Sequence, residues 1–313
     1  MLAAVGSGLH AEFLAIEREG RLIGGAPVLS DRRGGFHWLY ASMFSLPGTP
    51  FARPGEHAVV DRAFADAFAE RARSRGVVGG AWILYRPAGP EPEASACETV
   101  PGDTRWIETA VMRFDGGLDA IRRRMDKKMR NELKHASAGS LVFAEEPAAL
   151  DEAFPLHQAQ AHVWRHRPPP LPLLRRLLEA DAGNGAYEAG GPLARLFTVR
   201  DGRGLLAAAF VLDHAHESFV WWTGAHPDAR HEHAVSWMFW SVAEWAAAAG
   251  RSRFNLGASP GLAGVAAFKR SLGAETYRYR VRWLDASNAR GLARVVARLQ
   301  ERVRRGRPRG EPE

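Results

Sequence analysis

The sequence contains little cysteine and no apolar run long enough to cross a membrane. Cys97 is the single cysteine among 313 residues, which excludes a disulfide within the chain and favours a reducing compartment. The longest apolar stretch, from Ala234 to Ala249, is interrupted by Ser236, Ser241 and Glu244 and is too short for a bilayer. The chain does not open on a basic segment followed by an apolar core, so no export signal is expected. These absences predict a cytoplasmic protein without a transmembrane segment.

Several catalytic motifs are also absent. The sequence lacks the spacing of a Ser/His/Asp triad, a Walker phosphate loop or a dinucleotide fingerprint. Two histidine pairs, 214/216 and 231/233, have the spacing of metal ligands, but no cysteine or acidic cluster accompanies them, so no metal site is predicted. His157, His162 and His166 are candidate acid/base groups whose spacing alone supports no role.

Hydrophobic residues (46%) and charged residues (25%) are present in the proportions of a globular protein, and the net charge is +7. Residues 116–139 contain seven Lys or Arg against three acids, and residues 285–313 contain eight Arg against four acids. Each segment therefore contributes +4, and the remaining chain sums to −1. Two local basic surfaces favour a polyanionic partner such as RNA, a nucleotide or an anionic membrane, whereas a solvated helix face is the alternative.

The first hundred residues have the pattern of a small α/β lobe. Strand patterns at 13–18 and 22–29 flank the turn Glu19-Gly20-Arg21, which predicts a hairpin, and a third strand is expected at 36–40. A helix is predicted at 57–74 and a strand at 81–85. The proline-rich stretch 87–103 is the best candidate for a domain boundary, so the predicted domains are 1–103, 104–284 and a basic tail, 285–313.

The second lobe begins with a predicted strand at 106–114 and a single basic helix at 116–139. An apolar stripe recurs along that helix at steps of three and four residues, and consists of Leu118, Ile121, Met125, Met129 and Leu133. Three strands at 193–199, 205–212 and 218–223 form a predicted meander. The helix at 233–249 is apolar nearly all round and is expected to be buried.

Two further stretches in this lobe point to a family. The sequence Phe254-Asn255-Leu256-Gly257 is followed by Phe268-Lys269-Arg270-Ser271-Leu272-Gly273, and the aromatic strand SFVWWTG precedes the buried helix. F-x-L-G followed by F-K-x-x-x-G resembles the Fem-like family of GNAT transferases. The basic segment DKKMRNELKHA and the hairpin REGRLIGGAPVL are similar to parts of the same family, so the resemblance covers residues 13–284.

The resemblance implies an α/β (α+β) fold of two GNAT-like lobes, each with a mixed, mostly antiparallel sheet flanked by helices, the first lobe being shortened. Family donors are aminoacyl-tRNA or acyl-CoA, and no bound cofactor is expected. The GNAT pyrophosphate loop, Q/R-x-x-G-x-G/A, is absent before the buried helix, where Arg230-His231-Glu232-His233-Ala234 stands instead. Without small glycines the backbone N–H groups cannot approach a pyrophosphate closely, which favours RNA over CoA.

The resemblance also implies site residues. Lys269 matches the family lysine and is the candidate catalytic cation for a tetrahedral oxyanion. Substrate-binding candidates are the residues around it and on the aromatic strand: Phe268, Gly257, Asn255, Trp221 and Trp222. Asn255 departs from the family pattern, in which this position is often Asp. Core packing is the alternative for the three aromatic residues, and a simple turn for Gly257.

Five basic residues of the 116–139 helix are candidates for contacts with the phosphates of a donor: Arg122, Arg123, Lys127, Lys128 and Arg130. In the tail, four arginines from Arg290 to Arg302 recur at steps of four along one face of a predicted amphipathic helix. That helix would bind RNA or make a peripheral membrane contact, or would simply cap the domain.

Two functions from different classes fit these features. The first is an N-acyltransferase that joins an acyl or aminoacyl group from an activated donor, aminoacyl-tRNA or acyl-CoA, to an acceptor amine, with tRNA as a partner. The alternative is a non-catalytic RNA-binding or scaffold protein with a degenerate GNAT fold, which Asn255 and the shortened first lobe motivate.

Overall fold

The computed structural model describes residues 9–33, 36–42, 46–74, 76–86, 98–164, 166, 168–180, 192–230 and 232–284. The predicted tail helix at 285–313 and most of the predicted linker lie outside these residues. Within them the strands are β1 (Leu9–Arg18), β2 (Arg21–Arg33), β3 (Phe36–Tyr40), β4 (Phe51–Ala52), β5 (Val77–Leu84), β6 (Asp103–Arg113), β7 (Val142–Glu145), β8 (Ala194–Asp201), β9 (Gly204–Asp213), β10 (Glu217–Ala225), β11 (Arg253–Ala258) and β12 (Glu275–Leu284).

The α-helices among the described residues are α1 (His57–Ala72), α2 (Gly117–Arg124), α3 (Lys127–Ala138), α4 (Leu150–Val163), α5 (Leu171–Glu179), α6 (Ala234–Ala248) and α7 (Ala263–Ser271). None of them is both long enough and apolar enough to cross a bilayer.

The chain divides into two compact units. One unit comprises Ile107–Tyr279, and the other comprises the described residues up to Trp106 together with residues 280–284. The boundary expected between residues 103 and 104 lies close to this division. The predicted domain 104–284 nevertheless extends too far, because Arg280–Leu284 pairs antiparallel with β5 in the first unit. Sequence patterns do not reveal such a pairing, since its two strands are about two hundred residues apart.

The first unit has strand order β1-β2-β3-β5 followed by the end of β12, with β4 beside β2. The predicted hairpin forms: Arg18 pairs with Arg21 across Glu19 and Gly20, which have φ values of 53° and 73°. Two positive φ values are the signature of the tight turns that suit the twist of a hairpin. Helix α1 packs on the sheet, where Phe64 and Phe68 contact the buried Trp82.

The second unit has strand order β6-β11-β10-β9-β8-β7. The β10–β11 pair is parallel, and the other pairs recorded along this order are antiparallel. Helix α6 packs on one face of the sheet with α2 and α3, while α4 and α5 pack on the other face. The first unit also has one parallel pair, β3–β5, among antiparallel ones, and it packs against α1. Both units therefore contain a mixed, mostly antiparallel sheet packed against helix, and the predicted fold class is confirmed.

The prediction of a single basic helix at 116–139 is wrong. It is broken between α2 and α3, where Met125 is extended (ψ 140°) and the backbone N–H of Asp126 donates to the carbonyl of Ser271 at 3.0 Å. The apolar stripe continues across the break, since Ile121, Met125, Met129 and Leu133 are all buried in the same core. Periodicity therefore hides the break, because both helices turn the same face inward.

Candidate active site

The parallel pair β10–β11 loses its regular pairing partway along both strands. The paired residues end at Phe219 and Asn255, although β10 continues to Ala225 and β11 to Ala258. At the same level, β10 shifts register against β9 and β11 shifts register against β6. Backbone groups released from a ladder need other partners when they are buried. The end of β11 is therefore a place where side chains must complete the hydrogen bonding.

Two side chains complete it. Asn255 Oδ1 accepts a hydrogen bond from the backbone N–H of Gly257 at 2.9 Å. Lys269 Nζ, which reaches over from α7, donates to the carbonyl of Gly257 at 2.9 Å and to that of Ala258 at 3.4 Å. The structure therefore brings three predicted site residues, Asn255, Gly257 and Lys269, together at one strand end.

Gly257 has a backbone conformation that favours glycine. Its φ is +80°, and an added Cβ would lie 3.3 Å from the carbonyl oxygen of Val220. The same Cβ would lie 3.9 Å from Lys269 Nζ and 3.9 Å from the ring of Phe219. A side chain here would strain the backbone and crowd the lysine. The glycine therefore has a specific role at this bend.

Lys269 is a buried cation. Only 6% of the residue is exposed, and burial lowers its pKa from 10.5 to about 8 because the charged form loses solvation. An ammonium group has three N–H donors, and the two carbonyls of β11 accept two of them. The remaining donor of a fixed, desolvated cation can stabilise a developing negative oxygen far better than a solvated lysine can.

Asn255 lies at the centre of a buried hydrogen-bond network. Its Oδ1 also accepts from Thr109 Oγ1 at 2.7 Å, and its Nδ2 donates to Glu217 Oε1 at 3.0 Å. Glu217 is 4% exposed, and its other carboxylate oxygen lies 3.9 Å from Arg253 Nε. Both ends of the Asn255 amide therefore make hydrogen bonds within the protein. Asn255 positions Gly257 rather than presenting its own side chain to a ligand.

The aromatic candidates lie in packed surroundings. Phe268 meets Phe239 edge-on with ring centroids 5.7 Å apart, against the core beneath α6. Trp222 is 4% exposed and stacks on Phe210 at 5.4 Å. Trp221 is half-buried and lies at the register shift of β10. Of the two tryptophans, Trp221 is the one with surface available for a ligand.

The five candidate phosphate-binding residues are all exposed on α2 and α3, and no described contact joins them to Lys269. Arg122 lies over the ring of Trp240 at 4.9 Å and 3.3 Å from Glu244. Arg130 donates to the carbonyl of Met125, and Lys128 lies 3.9 Å from Glu132. Arg123 and Lys127 have no side-chain partner among the described residues. The set therefore divides into residues with structural contacts and residues open to a ligand.

The N-terminus of α6 carries a carboxylate from α3. Ser236 Oγ, in the first turn of α6, donates to Glu132 Oε2 at 3.1 Å, and His233 Nδ1 lies 3.7 Å from the same oxygen. His233 precedes the helix with φ 54°. Helix N-termini attract anions because of their free N–H groups and dipole. Glu132 already places a negative charge at this end of α6.

The sequence did not predict Thr109 and Glu217 as the hydrogen-bond partners of Asn255, and it assigned no role to His157. His157 Nδ1 lies 3.0 Å from the carbonyl of Thr223, so this nitrogen carries the proton and donates it. The ring stacks on Trp222 at 4.6 Å, and burial lowers the pKa of His157 from 6.5 to about 4. Its Nε2 is buried without a hydrogen-bond partner among the described residues. No local motif marks this histidine, because Thr223 lies 66 positions further along the chain.

The comparison with protein families matches residues 120–277 to the family described as the acetyltransferase (GNAT) domain. The matched region includes Asn255, Gly257 and Lys269. The chain belongs to this GNAT family. It is an acyltransferase, and the Fem-like resemblance predicted from F-x-L-G and F-K-x-x-x-G is confirmed.

Solved structures with the same fold agree with this GNAT assignment. FemX shares 11% identity and a TM-score of 0.63 over 87% of this chain and 88% of that one. The C-terminal domain of a putative lysylphosphatidylglycerol synthetase from Agrobacterium fabrum shares 14% identity and a TM-score of 0.56, over 93% and 89%. L-PGS from Bacillus licheniformis shares 14% identity and a TM-score of 0.54, over 96% and 91%. No curated protein matches the sequence significantly.

Proposed function

We propose that this acyltransferase moves an aminoacyl or acyl group from an activated donor to an acceptor amine, with Lys269 as the catalytic cation. The amine nitrogen attacks the carbonyl carbon of an ester or thioester, and a C–N bond forms. The C–O or C–S bond of the donor then breaks, and the proton that the amine loses balances the one that the leaving group takes up. The observation that carries the proposal is the buried Lys269 ammonium at the end of β11.

The role of Lys269 follows from its surroundings. The tetrahedral intermediate carries a full negative charge on the former carbonyl oxygen, and a donor fixed beforehand needs no reorganisation to meet it. Lys269 is held by two backbone carbonyls, and its burial weakens competition from water. Since its pKa is about 8, most of the population is protonated near neutral pH. The lysine is therefore a cation under ordinary conditions.

Aminoacyl-tRNA is the donor that the charges favour over acyl-CoA. Glu132 places a carboxylate at the N-terminus of α6, which repels a pyrophosphate from that helix end. Arg123 and Lys127 are exposed and available to RNA phosphates, which would make a salt-sensitive contact independent of base sequence. Aminoacyl-tRNA is a cytoplasmic donor, so a cytoplasmic location belongs to the same proposal.

The acceptor is an amine in this proposal. One structural neighbour is named as a domain of a putative lysylphosphatidylglycerol synthetase, and the printed name contains that of a lipid. A lipid-linked acceptor and a peripheral membrane contact are therefore included among the acceptors to be assayed.

The test compares transfer by the wild-type chain with transfer by Lys269→Met and by Arg270→Met. Purified protein is given radiolabelled aminoacyl-tRNA or acetyl-CoA, together with soluble amines and with vesicles that contain an aminophospholipid. Removal of a single stabilising donor from an oxyanion site typically lowers turnover by a factor of about 10²–10³. We expect a loss of this size for Lys269→Met, with RNA affinity retained. Arg270 is the exposed neighbour on α7, so its variant controls for loss of charge.

Three outcomes contradict parts of the proposal. Full activity of Lys269→Met would remove the lysine from the chemistry. Transfer from acetyl-CoA but not from aminoacyl-tRNA would show that the donor is an acyl-CoA and not an RNA. RNA binding without transfer by the wild-type chain would support the non-catalytic RNA-binding alternative.

A further inference from the structure

A surface pocket of about 420 Å³ lies at the opposite end of β11 from Gly257. It is lined by three arginines, two aromatic rings and one acid: Arg113, Arg251, Arg253, Phe114, Tyr277 and Asp115. All of these residues belong to the second unit. Gly257 lies four positions after Arg253 on β11, a distance of about 13 Å along an extended strand. The pocket is therefore distinct from the Lys269 site.

A buried carboxylate holds one of the three pocket arginines, Arg251. Arg251 donates from Nε and Nη2 to the two oxygens of Asp213, at 2.8 and 2.7 Å, and Asp213 is nearly inaccessible. Arg195 contacts the same carboxylate at 3.3 Å, so one negative charge is shared by two guanidinium groups. A guanidinium has five N–H donors, and Asp213 accepts from two of them. Arg251 is thus fixed in place, and its other N–H groups are not used by this carboxylate.

The other two arginines have weaker partners. Arg253 faces Glu217 at 3.9 Å, which is beyond hydrogen-bond distance, and Glu217 already accepts from Asn255. Arg113 donates to the hydroxyl of Tyr277 at 3.3 Å and to Asp115, whose carboxylate is largely exposed. The described lining thus contains three guanidinium groups and one carboxylate, that of Asp115, while Asp213 and Glu217 lie beside Arg251 and Arg253. Such a set suits a phosphate, which guanidinium groups bind bidentately.

The two rings add a second kind of contact. Phe114 and Tyr277 are half-buried, so each retains some accessible ring surface at the pocket. Backbone hydrogen bonds fix the loop that carries Phe114: its N–H donates to Ser252 at 3.0 Å, and its carbonyl accepts from Gly117 at 2.9 Å. Aromatic rings beside guanidinium groups are the usual platform for an unpaired base and its phosphate.

We propose that this pocket binds one nucleotide of an RNA ligand, with the phosphate on the arginines and the base against Phe114 or Tyr277. The identification of that RNA as the acyl donor rests on the proposed function; the binding itself does not. RNA is favoured over a lipid headgroup because the described lining contains no aliphatic side chain that would enter a bilayer. The lining residue Asp115 also lies two positions before the start of α2, and α2 and α3 carry exposed basic residues.

The experiment is a titration of fluorescent single-stranded RNA into the full chain at several salt concentrations. Arg113→Gln changes an exposed side chain and Arg253→Gln one that faces the pocket. Arg278→Gln is the matched control, since Arg278 is exposed on β12 next to Tyr277 and pairs with Glu108 instead. Loss of one phosphate contact should reduce the salt slope by about one and weaken binding by roughly tenfold. We expect this for the two pocket variants and not for the control.

Other outcomes overturn the inference. Equal weakening in all three variants would mean a long-range charge effect without a pocket. Binding of inorganic pyrophosphate or phosphatidylglycerol vesicles, but not of RNA, would overturn the nucleotide assignment. Thermal unfolding of each variant verifies the fold, and Arg113→Gln remains informative if Arg253→Gln unfolds.

The transfer assay separates this inference from the proposed function. Unchanged RNA affinity and unchanged KM for aminoacyl-tRNA in both pocket variants would refute the pocket while leaving the transferase intact. RNA binding that depends on the pocket residues, by a chain that transfers no acyl group, would support the pocket and refute the transferase function.

Discussion

Asn255 donates its side-chain amide to the carboxylate of Glu217 at 3.0 Å, while its carbonyl oxygen accepts from Thr109 and from the backbone of Gly257. Both Asn255 and Glu217 are buried. The position therefore requires a side chain that donates on one side and accepts on the other, and an ionised aspartate can only accept. The asparagine that departs from the family pattern is explained by its acidic neighbour.

Asn255→Asp is expected to destabilise the protein by about 3 kcal/mol or more, because two buried carboxylates would face each other. One of them must take up a proton in the folded state, so its folded pKa is raised above the unfolded value near 4. The penalty then grows as pH rises above that value. Denaturant unfolding from pH 5 to pH 8 measures it.

The double variant Asn255→Asp/Glu217→Gln restores a donor opposite the new carboxylate and should recover most of the loss. Equal stability of Asn255→Asp and the wild-type chain at pH 8 would show that the two side chains are not coupled.

Gly257→Ala is expected to lower both stability and transfer. The left-handed conformation costs a non-glycine residue about 1–2 kcal/mol, and the new methyl group would also approach Val220 and Lys269. Movement of the Gly257 carbonyl would displace the ammonium group that it holds, so we expect transfer to fall by at least about tenfold, the effect of roughly 1.4 kcal/mol in the barrier.

Gly261→Ala is the matched control for this change. Gly261 has φ +73° but no atom within 4 Å of its added Cβ, so it shares the strain without the crowding. Its variant should lose stability and keep its activity. Equal loss of activity in both variants would remove the specific role of Gly257.

The pH dependence of transfer should report the ionisation of Lys269. Because only the ammonium form can stabilise an oxyanion, kcat/KM should decline as pH rises through about 8, the value to which burial lowers the pKa. Lys269→Arg keeps the positive charge at all accessible pH values, so any residual activity should lose this decline. A basic limb that persists unchanged in Lys269→Arg would assign it to another group.

The order of strands and helices was predictable because it depends on local patterns. Helix α6 was expected at 233–249 and is observed at Ala234–Ala248, and the β1–β2 turn follows from Glu19 and Gly20. The break between α2 and α3 was not predictable, because the apolar stripe is continuous across Met125 and the hydrogen bond at the break joins Asp126 to Ser271, which is distant in sequence.

Only some residues of the candidate site were predictable from the sequence. Lys269 and Gly257 were found through short sequence motifs, whereas Glu217 and Thr109 carry no motif. Glu217 is one acid at the start of a strand, and its significance appears only when the parallel pairing of β10 and β11 places it near Asn255. Arg113, Arg251 and Tyr277 meet at one pocket for a similar non-local reason.

His157 should make the stability of the protein depend on acid. Its folded pKa, about 4, lies below the unfolded value of about 6.5, so the unfolded chain binds more protons between these pH values. Stability that is fully present above pH 6.5 is therefore lost as pH falls toward 4, by up to about 3 kcal/mol.

His157→Gln removes the titrating ring and should flatten the unfolding free energy over this range. His162→Gln, an exposed change on the same helix, should leave the dependence intact. If His157→Gln and the wild-type chain lose stability in parallel below pH 6.5, another group is responsible, and an NMR titration of the histidine ring protons would identify it.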